Sequence, residues 1–273
     1  MKTKRNDTKR LFWSKGPCST ALCYILNREF GHPKPAEECA ADPFGGGMMQ
    51  RGHQCGMLWG ASLAAGAEAW RRYNDIGQSI AAAITTTRHL MDSFYSRKKT
   101  VNCRDITRFD TTTKWGMAKF FLTGRPISCM NLAAKWVPEA IRAANEGLCY
   151  AQKDLPEMPM SCAAEVVKKM GASDEEMVMV AGFAGGLGLS GNACGALSAA
   201  IWMKTLAHCK KHPGNAPYPN VEANKILDTF QECTGNEFRC DKICGRRFNT
   251  IGDHTGFIKN GGCKNLIDVL ART

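Results

Sequence analysis

The sequence has little of the alternating apolar and polar pattern of β-strands, and only 11 of its 273 residues are proline. Few segments are therefore barred from helix, which points to an all-α chain. No Cys-x-x-Cys pair occurs and no Cys-x-x-Cys-His, so neither a thioredoxin-type dithiol nor covalent c-type haem is expected. A P-loop, a strand-borne G-x-G-x-x-G and an H-E-x-x-H motif are all missing. An apolar leader is missing too. The basic start is followed by only Leu11-Phe12-Trp13, where a secretory signal needs about 7–15 apolar residues. The expected setting is therefore cytoplasmic, where thiols are kept reduced.

What the sequence does have is cysteine, 14 in all, and an uneven positive charge. In a reducing compartment, many cysteines speak for metal or redox chemistry rather than structural disulfides. The net charge is +11, of which residues 1–150 carry +10 and residues 151–273 carry +1. The basic N-terminal segment (Lys2, Lys4, Arg5, Lys9, Arg10, Lys15) and Arg97-Lys98-Lys99 come without a recognition helix or an aromatic platform. A solvated tail over residues 1–17 is expected, with no nucleic-acid partner. Met177 to Met203 holds no charged residue, but six interrupting residues, among them Gly182, Gly188 and Asn192, suit a turn better than a membrane span.

The chain repeats itself. Residues 44–61 align with residues 183–200 at a constant offset of 139, and 8 of the 18 positions are identical. Carrying that offset backwards sets Cys23 on Cys162. Forwards, Cys103-Arg-Asp-Ile matches Cys240-Asp-Lys-Ile and Cys129-Met-Asn-Leu matches Cys263-Lys-Asn-Leu, at offsets of 137 and 134. Two tandem helical-bundle domains follow, at residues 18–150 and 151–273. Each has four cysteines in one order: Cys23, Cys55, Cys103, Cys129, then Cys162, Cys194, Cys240, Cys263. Apolar spacing places helices near 57–73, 78–95 and 130–145 in the first half. In the second half they fall at 161–170, after the capping box Ser173-Asp-Glu-Glu176, over 194–209 and after Asn220.

Cys55 and Cys194 each stand where a glycine-rich loop enters a helix. Free amides and the helix dipole there favour a thiolate or an anionic cluster. Three chemistries are open to the four-cysteine sets: a zinc site, thiol–disulfide exchange, and an iron–sulfur cluster with widely separated ligands. Neither set contains the closely spaced pair that zinc sites usually draw on, although Cys18-x₄-Cys23 and Cys240-x₃-Cys244 come near it.

A cysteine, a glycine-rich loop, Cys-Gly-Ala-x-x-Gly and two further cysteines resemble the redox-active family named for its C-GCAxxG-C-C motif. The second copy matches with Cys162, Cys194-Gly195-Ala196-Leu197-Ser198, Cys240 and Cys263, but has Ala199 for the last glycine. The first copy keeps that glycine as Gly60 and has Met57 for the alanine. Because the family is similar to the cluster-bearing part of split-Soret cytochromes, the resemblance implies iron–sulfur chemistry and no particular substrate.

Outside the two sets, Cys39 and Cys209 read as core residues, and Cys149 has no assigned role. Cys18, Cys233 and Cys244 stand near framework cysteines as candidate additional ligands. His53, two before Cys55, is a candidate to tune the site by hydrogen bonding. The resulting expectation is an electron carrier with two clusters, [4Fe-4S] or [2Fe-2S], one per repeat. The basic first half would steer an acidic ferredoxin or flavodoxin to it. A homodimer is compatible with this picture. The alternatives are a cluster-dependent reductase of a small molecule and a zinc-binding structural or regulatory protein.

Overall fold

The computed structural model describes residues 5–149 and 156–273. It is helical, and among the described residues it has no strand longer than an isolated bridge. The expected boundary between residues 150 and 151 lies outside the described residues, as do Lys2 and Lys4.

The first repeat runs through α1 (Arg5–Ser14), α2 (Cys18–Glu29), α3 (Pro35–Cys39) and a 3₁₀ turn at Asp42–Phe44. It continues with α4 (Gly56–Tyr73), α5 (Ile76–Lys98), α6 (Cys103–Thr107), α7 (Lys114–Leu122) and α8 (Arg125–Cys149). The second contains α9 (Cys162–Lys169), α10 (Asp174–Ala181), α11 (Gly195–Lys211) and α12 (Val221–Thr234). It ends with α13 (Cys240–Ile243), α14 (Ile251–Lys259) and α15 (Lys264–Arg272). The long helices fall where the apolar spacing places them. The capping box forms as read, with Ser173 Oγ accepting from the Glu176 amide and Glu176 accepting from the Ser173 amide.

Residues 5–14 differ from the expected solvated tail. They form α1, which turns Thr8 and Phe12 inward against α8 and α2 and leaves Lys9 and Arg10 in solvent. An apolar residue one turn after a small buried threonine is enough to anchor a short helix on a neighbour.

The two repeats exchange contacts. Helix α10 of the second packs on α4 and α5 of the first, and α3 of the first packs on α11 of the second. Gly66 makes the first contact close, since a Cβ there would lie 2.5 Å from the Val178 carbonyl oxygen. Phe44 and Phe183, which the duplication sets on each other, meet ring edge to ring face with centroids 5.5 Å apart. The contacts are reciprocal, α3 and α4 of the first repeat meeting α11 and α10 of the second, which is the pattern of a local two-fold relation. Trp59 packs on both rings and its indole N–H donates to the Gln54 carbonyl at 3.1 Å. One hydrophobic core thus runs through both repeats. The charge-free run Met177–Met203 is split between α10, the glycine-rich loop and α11. No helix among the described residues is long and apolar enough to cross a membrane.

Candidate metal centres

Seven of the eight cysteines that the structure brings together as equivalents stand at a helix start. Cys18 and Cys162 are the first residues of α2 and α9, and Cys55 and Cys194 directly precede α4 and α11. Cys103 and Cys240 open α6 and α13, Cys263 directly precedes α15, and Cys129 lies in the second turn of α8.

Cys55 and Cys103 are far apart in sequence, and one antiparallel rung joins them. The Cys55 amide donates to Val101 O at 2.7 Å, the Cys103 amide to His53 O at 2.7 Å, and Gln54 bridges to Asn102. The second repeat builds the same rung. There Cys194 donates to Phe238 O at 2.8 Å, Cys240 to Asn192 O at 2.6 Å, and Ala193 bridges to Arg239. His53 therefore serves the site through its main-chain carbonyl. Its ring faces away, tilted against Phe238 of the other repeat at 4.9 Å, and burial lowers its pKa to about 4.

The structure gathers Cys18, Cys55, Cys103 and Cys129 around one cavity. The offset of 139 points to Cys23 in the place of Cys18, and this is where the sequence alignment and the structure part. Cys23 is fully buried inside the α2 face, its sulfur 3.8 Å from Asn27 Nδ2 and beside Glu38. Cys18 corresponds to Cys162 instead. Gly46 and Gly185, themselves equivalent, each supply the backbone hydrogen bond that their cysteine's sulfur accepts. The stretch from the first cysteine to Phe44 is five residues longer than that from Cys162 to Phe183, which a constant offset cannot absorb. Five residues along a helix rotate a side chain by about 140°, so Cys23 points away from the site. The helix start at Pro17-Cys18, matching Ser161-Cys162, is the signal that identifies the right residue.

The second site contains five thiols, from Cys162, Cys194, Cys240, Cys244 and Cys263. Cys244 sits one helical turn after Cys240, their sulfurs 3.8 Å apart, and lies 3.5 Å from Cys263. Thr107 takes its place in the first repeat, with its hydroxyl donating to Cys103 O at 2.8 Å. Cys233 is exposed on α12, outside the enclosed group. Cys39 and Cys209 are buried as expected, and they face each other across the repeats with sulfurs 3.0 Å apart.

Burial pushes most of these thiols up, and at Cys129 it outweighs the nearby Arg125 and Lys98, which pull the other way. Cys129 rises to about 12 and Cys194 to about 11, each chiefly through burial, and Cys162 rises well above the usual thiol range for the same reason. Cys55 is raised, first by its hydrogen bond to Cys18, which holds Cys18 down in turn. In the second site a hydrogen bond to Cys240 takes Cys244 to about 12. Without a cation the thiols stay mostly protonated, so a metal must displace protons to bind.

As a donor set the residues fit a thiophilic metal: four or five soft sulfurs dominate each lining, beside Asp42 in the first site and His254 in the second. Among the described residues, no three His, Cys, Asp or Glu side chains stand close enough to grip a single ion. Gly56 keeps the first site compact, because a Cβ there would lie 2.7 Å from Cys18 Sγ and 2.7 Å from the Phe44 carbonyl oxygen.

The two sites differ in what covers them. An offset of 137 aligns α7 with α14, setting Thr113 on Thr250, Met117 on His254 and Phe120 on Phe257. Both threonines cap their helix, accepting from the Gly116 and Asp253 amides at 3.0 Å. In the second repeat α14 buries Ile251, His254, Thr255 and Ile258 and leaves about 10 Å³ among the thiols, at most one water. In the first repeat α7 buries none of its residues, and the cavity beside the thiols measures 580 Å³.

A family model described as "Putative redox-active protein (C_GCAxxG_C_C)" matches the chain twice, over residues 17–140 and 160–273, together most of its length. No curated protein and no solved structure matches the chain.

Proposed function

The chain belongs to the redox-active C_GCAxxG_C_C family, and on that footing we propose that it carries two iron–sulfur clusters, one per repeat, and transfers single electrons. The observation that carries this reading is the convergence of thiols, four in one repeat and four plus Cys244 in the other, the first three of each set at equivalent helix starts. Cys18, Cys55, Cys103 and Cys129 hold the first cluster, and Cys162, Cys194, Cys240 and Cys263 the second, with Cys244 as an alternative or fifth donor. The bound clusters would supply reversible one-electron chemistry.

The protein's own groups have distinct tasks. The amides of Gly46 and Gly185 donate to the first cysteine of each set and favour its thiolate. The apolar wall of the second site excludes water, which lowers the local dielectric around its thiols. Behind Cys129 a second cavity of 350 Å³ is edged by Arg97, Lys98, Arg125 and Lys135. This basic surface suits an acidic ferredoxin or flavodoxin delivering electrons through Cys129, in a cytoplasmic setting.

Anaerobic purification with iron, acid-labile sulfide and zinc analysis, joined to EPR of the reduced protein, tests the reading. Iron and sulfide in both repeats are expected. Zinc without sulfide would instead make this a zinc-binding structural or regulatory protein.

A second reading rests on the 3.5 Å contact between Cys244 and Cys263. Those two thiols could form a disulfide, releasing two protons and passing two electrons to a disulfide or quinone oxidant. Purified protein with no iron, and two fewer titratable thiols after mild oxidation, would favour it.

A further inference from the structure

The covering of the first site is the feature that electron transfer alone leaves without a purpose. A cluster held only for electron transfer is well served by the sealed arrangement of the second repeat, yet the equivalent elements of the first stand apart. Helix α7 is apolar in sequence, Lys-Trp-Gly-Met-Ala-Lys-Phe-Phe-Leu, yet has no buried residue. Trp115 is 74 % exposed and Leu122 82 %. On the opposite rim Tyr218, between Pro217 and Pro219 of the second repeat, is 95 % exposed. Apolar surface left in water around a concavity is the usual mark of a binding site.

The space beneath has the volume of a small-molecule pocket, 580 Å³ against a usual range of about 300–1,000 Å³. Its floor is the set of four cysteines. Its walls are mainly apolar, among them Phe12, Met49, Met57, Met117, Phe120 and Leu132. The polar groups at its edge are neutral amides and hydroxyls, Gln50, Thr107, Thr111, Asn220 and Asn224, with Asp42 as the one charged type. Burial raises the Asp42 carboxyl, which moves it toward the neutral form. No lysine or arginine lines this cavity, and the basic residues behind Cys129 line the other one. An anion would therefore meet thiols and a carboxyl with no basic group in the lining, Arg125 and Lys98 acting only through Cys129 from its far side, whereas a neutral apolar molecule would lose little on leaving water.

We propose that the cavity between α7 and the Cys18–Cys55–Cys103–Cys129 site binds an uncharged, largely apolar small organic molecule, aromatic or branched, carrying one or two hydrogen-bonding groups. Helix α7 closes over it as α14 already closes over the second site. The ligand's exchange of electrons with the cysteines' metal would rest on the iron–sulfur reading; its binding does not.

Fluorescence titration of the full chain, iron-loaded and metal-free, with N-phenyl-1-naphthylamine tests the proposal. The comparison probe is 8-anilinonaphthalene-1-sulfonate, the same ring system bearing an anion. One molecule of the neutral probe should bind per chain in both forms, at least tenfold more tightly than the sulfonate. Met117→Trp, which fills the cavity from its lid, and Phe120→Asp, which charges it, should each weaken binding tenfold or more at unchanged helix content by circular dichroism. Because Met117 and Phe120 are only half-buried, either substitution should fold. No binding, equal binding of the two probes, loss of binding on iron loading, or indifference to both substitutions overturns the proposal. Iron and sulfide content in the same samples separates that failure from a failure of the cluster reading.

Discussion

The two repeats have the same scaffold around their cysteines and differ in what lies above them. The antiparallel rung, the glycine amide on the first cysteine and the helix starts at the first three cysteines recur at equivalent residues. Covering does not recur. Met117 and Phe120 line an open cavity, while His254 and Phe257, at the same positions, line a nearly filled one. The scaffold is thus what both repeats need in order to gather thiols, and the cover is what distinguishes them. One site has an open cavity beside its thiols, and the other has almost no free space.

The sharpest way to break this comparison is at the first cysteine. If Cys18 and Cys162 are true equivalents, Cys18→Ser and Cys162→Ser should each remove about half of the bound iron, and Cys23→Ser should leave iron content unchanged. Iron retained in Cys18→Ser and lost in Cys23→Ser would restore the constant-offset pairing. The next largest effect concerns the cover. Phe257→Ala should open the second site, raising neutral-probe binding from one to two molecules per chain. It should destabilise the metal-free protein by about 2–3 kcal/mol, below the about 3–5 kcal/mol usual for a buried phenylalanine because this ring is only partly buried. A stoichiometry still at one would mean that α14 does not close its site through this ring.

Acid should act on the closed repeat through His254. Its ring stays neutral, 3.2 Å from the Met160 carbonyl oxygen, with its pKa lowered by burial to about 4. The unfolded chain takes up this proton below pH ~6.5 and the folded chain only near pH 4. Stability is therefore intact above pH ~6.5 and falls as the pH drops toward 4, by about 3 kcal/mol over that window. Denaturant unfolding of metal-free His254→Asn should show a flatter limb there; an unchanged limb would assign the acid sensitivity elsewhere. The helix pair beneath each site offers another contrast of similar size. A Cβ on Gly60 would stand 2.0 Å from the Ser19 carbonyl oxygen, so Gly60→Ala should force α2 from α4 at about 2–3 kcal/mol. The reverse change at its counterpart, Ala199→Gly, should cost only about 1 kcal/mol, the helix propensity difference. Equal effects would mean that the two helix pairs are equally close.

Much of this was legible in the residues. Glycine-rich loops ahead of Cys55 and Cys194, apolar spacing after them and the Ser173 capping box locate helices that the structure contains. Cys244 stood out by lying one turn from Cys240. Cys18 was named for its nearness to Cys23, though its own role was hidden by an insertion between it and Phe44. An offset reads only register, and register is lost at the first loop of unequal length. The burial of α1 was hidden for a different reason: six basic residues in the first fifteen read as solvent-seeking, while the two inward positions, Thr8 and Phe12, are too few to give a periodic signal.

By itself, the sequence determined that the chain is duplicated, helical and equipped with a repeated set of cysteines. Each of those is written in local spacing and in identity between the halves. Only the tertiary structure decided which thiols meet, that the repeats share one core around Phe44 and Phe183, and that one site is covered while the other is open. Those outcomes depend on the rotation of α2, on backbone rungs between residues far apart in the chain, and on whether a short helix packs down or stands off. Such relations arise only when distant segments are brought to the same place.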